Sequence, residues 1–121
     1  MTARVLPPTP ESLARAADIL RIGGLVAMPT ETVYGLACDG TNADAVACLY
    51  EAKGRPSFNP LIAHVASQAM AEREAVFSPL ARKTAEHFWP GPLTLVLPVA
   101  KTGKVCDLAR AGLDTIALRR P

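Results

Sequence analysis

Gly24-Leu25-Val26-Ala27-Met28-Pro29-Thr30-Glu31-Thr32-Val33-Tyr34-Gly35-Leu36 is the stretch on which the fold turns. Leu25 to Met28 is a short apolar run of strand length, expected to be buried in a sheet. Pro29 ends it, because proline cannot donate to a strand ladder. Thr30-Glu31-Thr32 is then expected to open a short helix carrying Val33, Tyr34 and Leu36. A strand that runs through a hydroxyl-rich turn presents free backbone N–H groups and two hydroxyls at a sheet edge, where open α/β sheets bind ligands. A carboxylate or a phosphate suits such a turn. Read locally, the same residues also make a plain helix cap, Thr30 with Glu31 beside it.

Working outward, Thr9-Pro10-Glu11 reads as a helix start: a capping hydroxyl, proline in the first turn and an acid near the positive helix end. Leu13, Ala16, Ala17 and Leu20 follow at helical spacing, and Gly23-Gly24 closes the helix. Downstream, Asn42 or Asp44 caps a helix through Val46, Leu49 and Tyr50 to Lys53, with Gly54 as its stop. Leu61 to Val65 is a second strand. Ser67 and Ser78 start two more helices, the second running through Phe88. Trp89-Pro90-Gly91-Pro92 is a stiff loop. Leu93 to Val99 is the clearest strand, bounded by prolines and rich in β-branched residues, and Thr115 to Leu118 is a last short one. Strands alternating with helices give an α/β fold with a twisted, partly parallel sheet.

The 121 residues fit one domain, residues 1–121, and half of them are apolar, enough for a core. Thirteen basic against eleven acidic groups leave a net charge of +2, too weak to imply nucleic-acid binding by itself. Cys38, Cys48 and Cys106 are widely spaced with no CxxC pair, which suggests neither a zinc site nor a disulfide framework. A reduced, cytoplasmic setting is the simplest reading. Met1 to Pro10 lacks the basic-then-apolar pattern of a signal peptide, and the longest apolar run, Leu93 to Leu97, is too short to span a bilayer, so no membrane is expected.

Three segments can carry chemistry. In Lys53-Gly54-Arg55-Pro56-Ser57-Phe58-Asn59-Pro60, Arg55 and Asn59 both precede prolines and are expected in extended backbone. Lys53 and Arg55, two apart, would then point to one side and clamp a polyphosphate, Arg55 gripping two oxygens and Lys53 acting as a point charge. Against this, basic residues are ordinary at helix C-termini and Gly54 is an ordinary C-cap. The second segment is the Pro29–Gly35 turn. In the third, Thr115, Ala117 and Arg119 share one strand face while Arg120 points the other way; two solvent-facing arginines at a strand end is the simpler alternative. His64 shares a face with Ile62, opposite Ala63 and Val65, and a lone strand histidine is more often a hydrogen-bonded core residue than a catalyst. His87 reads as structural or exposed. No GxxxxGK[ST], GxGxxG or GxSxG occurs, so neither a P-loop, a dinucleotide fingerprint nor a covalent hydrolase is supported.

Taken in order, Gly24 to Leu36, then Lys53-Gly54-Arg55-Pro56 with Asn59-Pro60-Leu61 and His64, then Trp89-Pro90-Gly91-Pro92-Leu93-Thr94, then Thr115 through Arg119 resemble the YrdC-like domain of threonylcarbamoyl-AMP synthases over about Ser12 to Pro121. The resemblance implies an open, twisted mixed sheet with flanking helices around a positively charged cavity. It implies that L-threonine, bicarbonate and ATP give threonylcarbamoyl-AMP and pyrophosphate, a nucleotidyltransferase reaction, with Mg2+ accompanying ATP. The product would pass to other proteins that modify adenosine 37 of tRNA. By similarity Thr32, His64 and Arg119 hold threonine, Arg119 near its carboxylate. Arg55, Asn59 and Thr115 contact ATP, with Lys53 supporting the phosphates, and no residue is assigned as acid or base. The family also has a Ser-x-Asn segment that completes the nucleotide site. Here asparagine occurs only at positions 42 and 59, so the chain reads as the amino-terminal part of the domain, and as a fragment whose own catalysis is in question. Two further readings keep the fold: a carbamoyl-adenylate-handling domain of a hydrogenase-maturation carbamoyltransferase, and a module binding double-stranded RNA or tRNA.

Overall fold

A computed structural model describes residues 3–121; residues 1 and 2, part of the start read above as lacking a targeting signal, lie outside it. The helix starts follow local hydrogen bonding. Thr9 accepts from the Ser12 N–H and Pro10 opens α1, Pro10–Arg21. Asn42 accepts from the Asp44 and Ala45 N–H groups to start α2, Ala43–Lys53. Ser67 and Ser78 do the same for α3, Gln68–Glu74, and α4, Pro79–Phe88. Each side-chain oxygen satisfies a helix N–H that has no partner within the helix.

The strands are β1, Val26–Met28, β2, Gly35–Ala37, β3, Ile62–His64, β4, Thr94–Pro98, and β5, Thr115–Arg119. They form two sheets. β1 and β2 make an antiparallel hairpin, with Met28 opposite Gly35. The second sheet has the order β3-β5-β4, β3 and β5 parallel and β4 and β5 antiparallel. This is the mixed α/β arrangement expected from alternating elements.

Two expectations fail in the first segment. Residues 30–34 form no helix but the tip of the β1–β2 hairpin. Thr30 is a turn-former rather than a cap: its hydroxyl donates to the Val33 carbonyl at 2.5 Å and accepts from the Thr32 N–H at 3.2 Å. Nor is β1 buried: Ala27 is exposed and its neighbours are half-buried, because only one partner strand covers it.

The main core lies between one face of the three-stranded sheet and helices α3 and α4. Val65, Ile116 and Leu118 meet Ala71, Ala75, Ala85 and Trp89 there. A smaller cluster of Val46, Tyr50 and Ala109 joins α2 to the 105–109 segment. Buried Glu74 ties the two regions together, its carboxylate accepting from the N–H groups of Lys104 and Val105 at 2.6 to 3.0 Å.

Candidate functional site

Strand alternation gives the three-stranded sheet two unlike faces. Ala63, Val65, Leu95, Leu97, Ile116 and Leu118 pack into the core. The other face carries Ile62 and His64 on β3, Thr115, Ala117 and Arg119 on β5, and Thr94 and Val96 on β4. The register sets His64 opposite Arg119 and Arg119 opposite Thr94, so these three form one row across the sheet. His64 is therefore not a core histidine.

Arg119 is the best-held side chain of the row. Its Nε and Nη2 both donate to Thr94 Oγ1, at 3.0 and 2.8 Å. Its Nη1 donates to Glu31 Oε1 at 3.1 Å, an ion pair between side chains only 18% and 21% exposed. A guanidinium has five N–H groups. Three are taken, which leaves one each on Nη1 and Nη2. The pKa of His64 is lowered from 6.5, first by burial and then by the neighbouring Arg119 cation, with Glu31 pulling the other way. Burial and the Arg119 cation thus both favour the neutral imidazole.

The hairpin tip stands beside the row. Thr30 and Thr32 hydroxyls lie 3.2 Å apart, and Thr32 is exposed. A mostly apolar cavity of about 470 Å³ is lined by Met28, Thr30 and Gly35 of the hairpin, by His64, and by Glu74 and Val105; Thr32, Arg55, Thr115 and Arg119 are not among its lining residues.

Lys53 and Arg55 do not share a face of an extended stretch as expected. Lys53 is the last residue of α2, and Gly54, at φ +61°, caps it in the left-handed region. The Gly54 N–H donates to the Glu51 carbonyl and the Arg55 N–H to the Tyr50 carbonyl. The C-cap reading holds for the backbone. Arg55 turns onto its own loop: Nε donates to the Asn59 carbonyl at 3.3 Å and Nη2 to the Pro60 carbonyl at 2.8 Å. Tyr50 Oη donates to the same Asn59 carbonyl at 2.8 Å. The loop is thereby shaped by its own cation, with three Arg55 N–H groups to spare.

This loop leads directly into β3. Since Ile62 pairs with Ala117 in a parallel register, Thr115 lies level with Pro60. Arg55 and Thr115 therefore sit at one end of the strand pair, and His64 and Arg119 at the other. Four residue steps along β5 carry the chain from Thr115 to Arg119, roughly 13 Å. Lys53 and Asn59 are both exposed near the first end.

Sequence reasoning assigned no role to Glu31 or Thr94. Glu31 could be read only as a cap neighbour, because its partner is 88 residues away. For Thr94 a signal existed: it lies in the clearest strand and shares the parity of Val96.

The family model for Sua5/YciO/YrdC domains, described as telomere recombination, matches residues 18–121. The chain belongs to the Sua5/YciO/YrdC family. It is 49% identical over 110 residues to threonylcarbamoyl-AMP synthase of Bacillus subtilis, covering 90% of this chain and 32% of that protein. It is 51% identical over 107 residues to threonylcarbamoyl-AMP synthase of Pyrococcus abyssi, covering 88% and 31%. Among solved structures, P. abyssi Sua5 complexed with L-threonine superposes with a TM-score of 0.86 at 48% identity, over 92% of this chain and 32% of that one. This Sua5/YciO/YrdC-family chain thus spans about a third of the length of these relatives. Among its described residues, no helix is long and apolar enough to cross a membrane.

Proposed function

We propose that this chain supplies the L-threonine pocket and part of the nucleotide site of a threonylcarbamoyl-AMP synthase. The observation that carries the reading is Arg119, fixed by Thr94 and Glu31 with two N–H groups unspent. A carboxylate matches such a pair of donors in spacing and charge. His64, beside Arg119, and the Thr32 hydroxyl would then contact the rest of the amino acid. Relatives named threonylcarbamoyl-AMP synthase, and a structural neighbour that binds L-threonine, support the choice of ligand.

ATP would lie toward the opposite end of the strand pair. Arg55, Lys53, Asn59 and Thr115 are the groups there that can meet phosphates and ribose. Arg55 keeps donors free after shaping its loop, and Lys53 adds a point charge. The threonine amine would take up CO2 from bicarbonate as a carbamate. A carbamate oxygen would attack the α-phosphorus of ATP, and pyrophosphate would leave. Positioning the two reactants and neutralising phosphate charge are the protein's contributions.

Among the described residues no group of three or more His, Cys, Asp or Glu could hold a metal ion. That donor set does not fit a resident protein site, so Mg2+ would arrive on the phosphates of ATP. Transferases acting on tRNA are the partners that would consume the adenylate.

Two measurements test the proposal. Calorimetric titration with L-threonine should show saturable binding that Arg119→Ala abolishes. Incubation with L-threonine, bicarbonate, ATP and Mg2+ should give a threonylcarbamoyl-AMP mass that requires all three substrates. Threonine binding that survives Arg119→Ala would overturn the assignment. Salt-sensitive RNA binding indifferent to threonine would favour the RNA-binding reading instead.

A further inference from the structure

We infer that Glu31 is a positioning residue that holds the Thr30–Tyr34 loop over the amino-acid end of the site through Arg119. The inference rests on the proposed function for its ligand, but on geometry for the attachment. Among the described residues, the Glu31–Arg119 contact is the only hydrogen bond between the β1–β2 hairpin, residues 26–37, and the three-stranded sheet. Every other side-chain bond of the loop is internal, Thr30 with Thr32 and Val33.

Apolar burial does not hold the loop down either. Its two large apolar side chains, Val33 and Tyr34, are 73% and 78% exposed. A polar tether must then do what packing does elsewhere. Both members of this one are about four-fifths shielded from solvent, which makes it stronger than an exposed ion pair.

The division of donors on Arg119 gives the pair a second consequence. Thr94 takes Nε and one N–H of Nη2, and Glu31 takes one N–H of Nη1. The planar guanidinium is thereby fixed by partners from two directions. The two N–H groups that remain, one on each terminal nitrogen, suit a ligand carboxylate. Glu31 also balances the Arg119 charge before ligand arrives. Removing Glu31 would free the loop, release one side of the guanidinium and leave its cation facing His64.

The test compares Glu31→Ala and Glu31→Gln with the wild-type chain. Glutamine keeps an acceptor for Nη1 but loses the charge, so it should lie between the other two. Three readouts are taken: L-threonine affinity, hydrogen exchange of the backbone amides of residues 31–34, and titration of the His64 imidazole by NMR. A hydrogen bond to a charged group corresponds to about tenfold or more in affinity. Glu31→Ala should therefore weaken threonine binding at least about tenfold, with partial recovery in Glu31→Gln. It should also speed exchange in the loop, and lower the His64 pKa further. The exchange and titration readouts do not need threonine. A wild-type chain that binds no threonine refutes the ligand, while those two readouts still decide the tether. Unchanged loop exchange and an unchanged His64 titration in Glu31→Ala would overturn the inference. So would tighter threonine binding, which would make Glu31 a competitor for Arg119.

Discussion

Thr94→Val removes a hydroxyl and keeps the shape of the side chain, so it isolates what Thr94 does for Arg119. Valine fits a strand at least as well as threonine. The loss is the acceptor shared by Nε and Nη2, at 3.0 and 2.8 Å. Net contributions of hydrogen bonds to charged groups run at about 1.5–3 kcal/mol each. Two bonds to one oxygen do not add fully, and the freed N–H groups on an 18% exposed side chain regain some hydration. About 2 kcal/mol for the pair is the resulting expectation, roughly thirtyfold in an equilibrium constant. In urea unfolding, with a slope of about 1–1.5 kcal/mol/M for a small domain, the midpoint should fall by roughly 1.5 M. L-threonine affinity should also fall, by up to about thirtyfold, if guanidinium orientation is what the ligand reads. A variant with wild-type midpoint and wild-type affinity would refute both the energetic weight of the row and its role in orienting Arg119.

Three further outcomes follow from other parts of the structure. Glu74→Ala orphans the Lys104 and Val105 N–H groups inside the protein and should cost about 2–4 kcal/mol by denaturant unfolding, with secondary structure retained. Gly54→Ala forces a Cβ into a φ of +61° with open space around it; backbone strain alone should cost about 1 kcal/mol, read in the same assay. His64 has a folded-state pKa below its ordinary 6.5, so its contribution to stability is complete above that value and is lost as pH falls through the folded-state pKa. Unfolding free energies measured from pH 7 down to pH 5 should therefore fall more steeply for the wild type than for His64→Asn.

The parts of the fold legible in the sequence were those decided within a few residues. Thr9, Asn42, Ser67 and Ser78 cap helices because each side chain reaches an N–H two or three positions ahead. The common face of Thr115, Ala117 and Arg119 followed from strand alternation. Local logic failed at Thr30-Glu31-Thr32, where a cap and a hairpin turn use the same residue types. Pairing of Met28 with Gly35 decided between them. It failed again between Lys53 and Arg55: the helix ends at Lys53 with Gly54 as its stop, as read, but the left-handed Gly54 does not give the extended backbone that the clamp requires. The row of His64, Arg119 and Thr94 needs the register of three strands, which no local pattern encodes. Family motifs brought Thr32, His64 and Arg119 together on paper; the Glu31–Arg119 pair emerged only from the folded chain.

NMR titration of the isotopically labelled chain with L-threonine, following the Arg119 Nε–H and the His64 ring, addresses the central claim most directly. Saturable shifts at both groups, absent with a threonine derivative whose carboxylate is amidated, are the predicted result. Saturable binding that leaves Arg119 and His64 unmoved, or that tolerates the amide, would contradict the account.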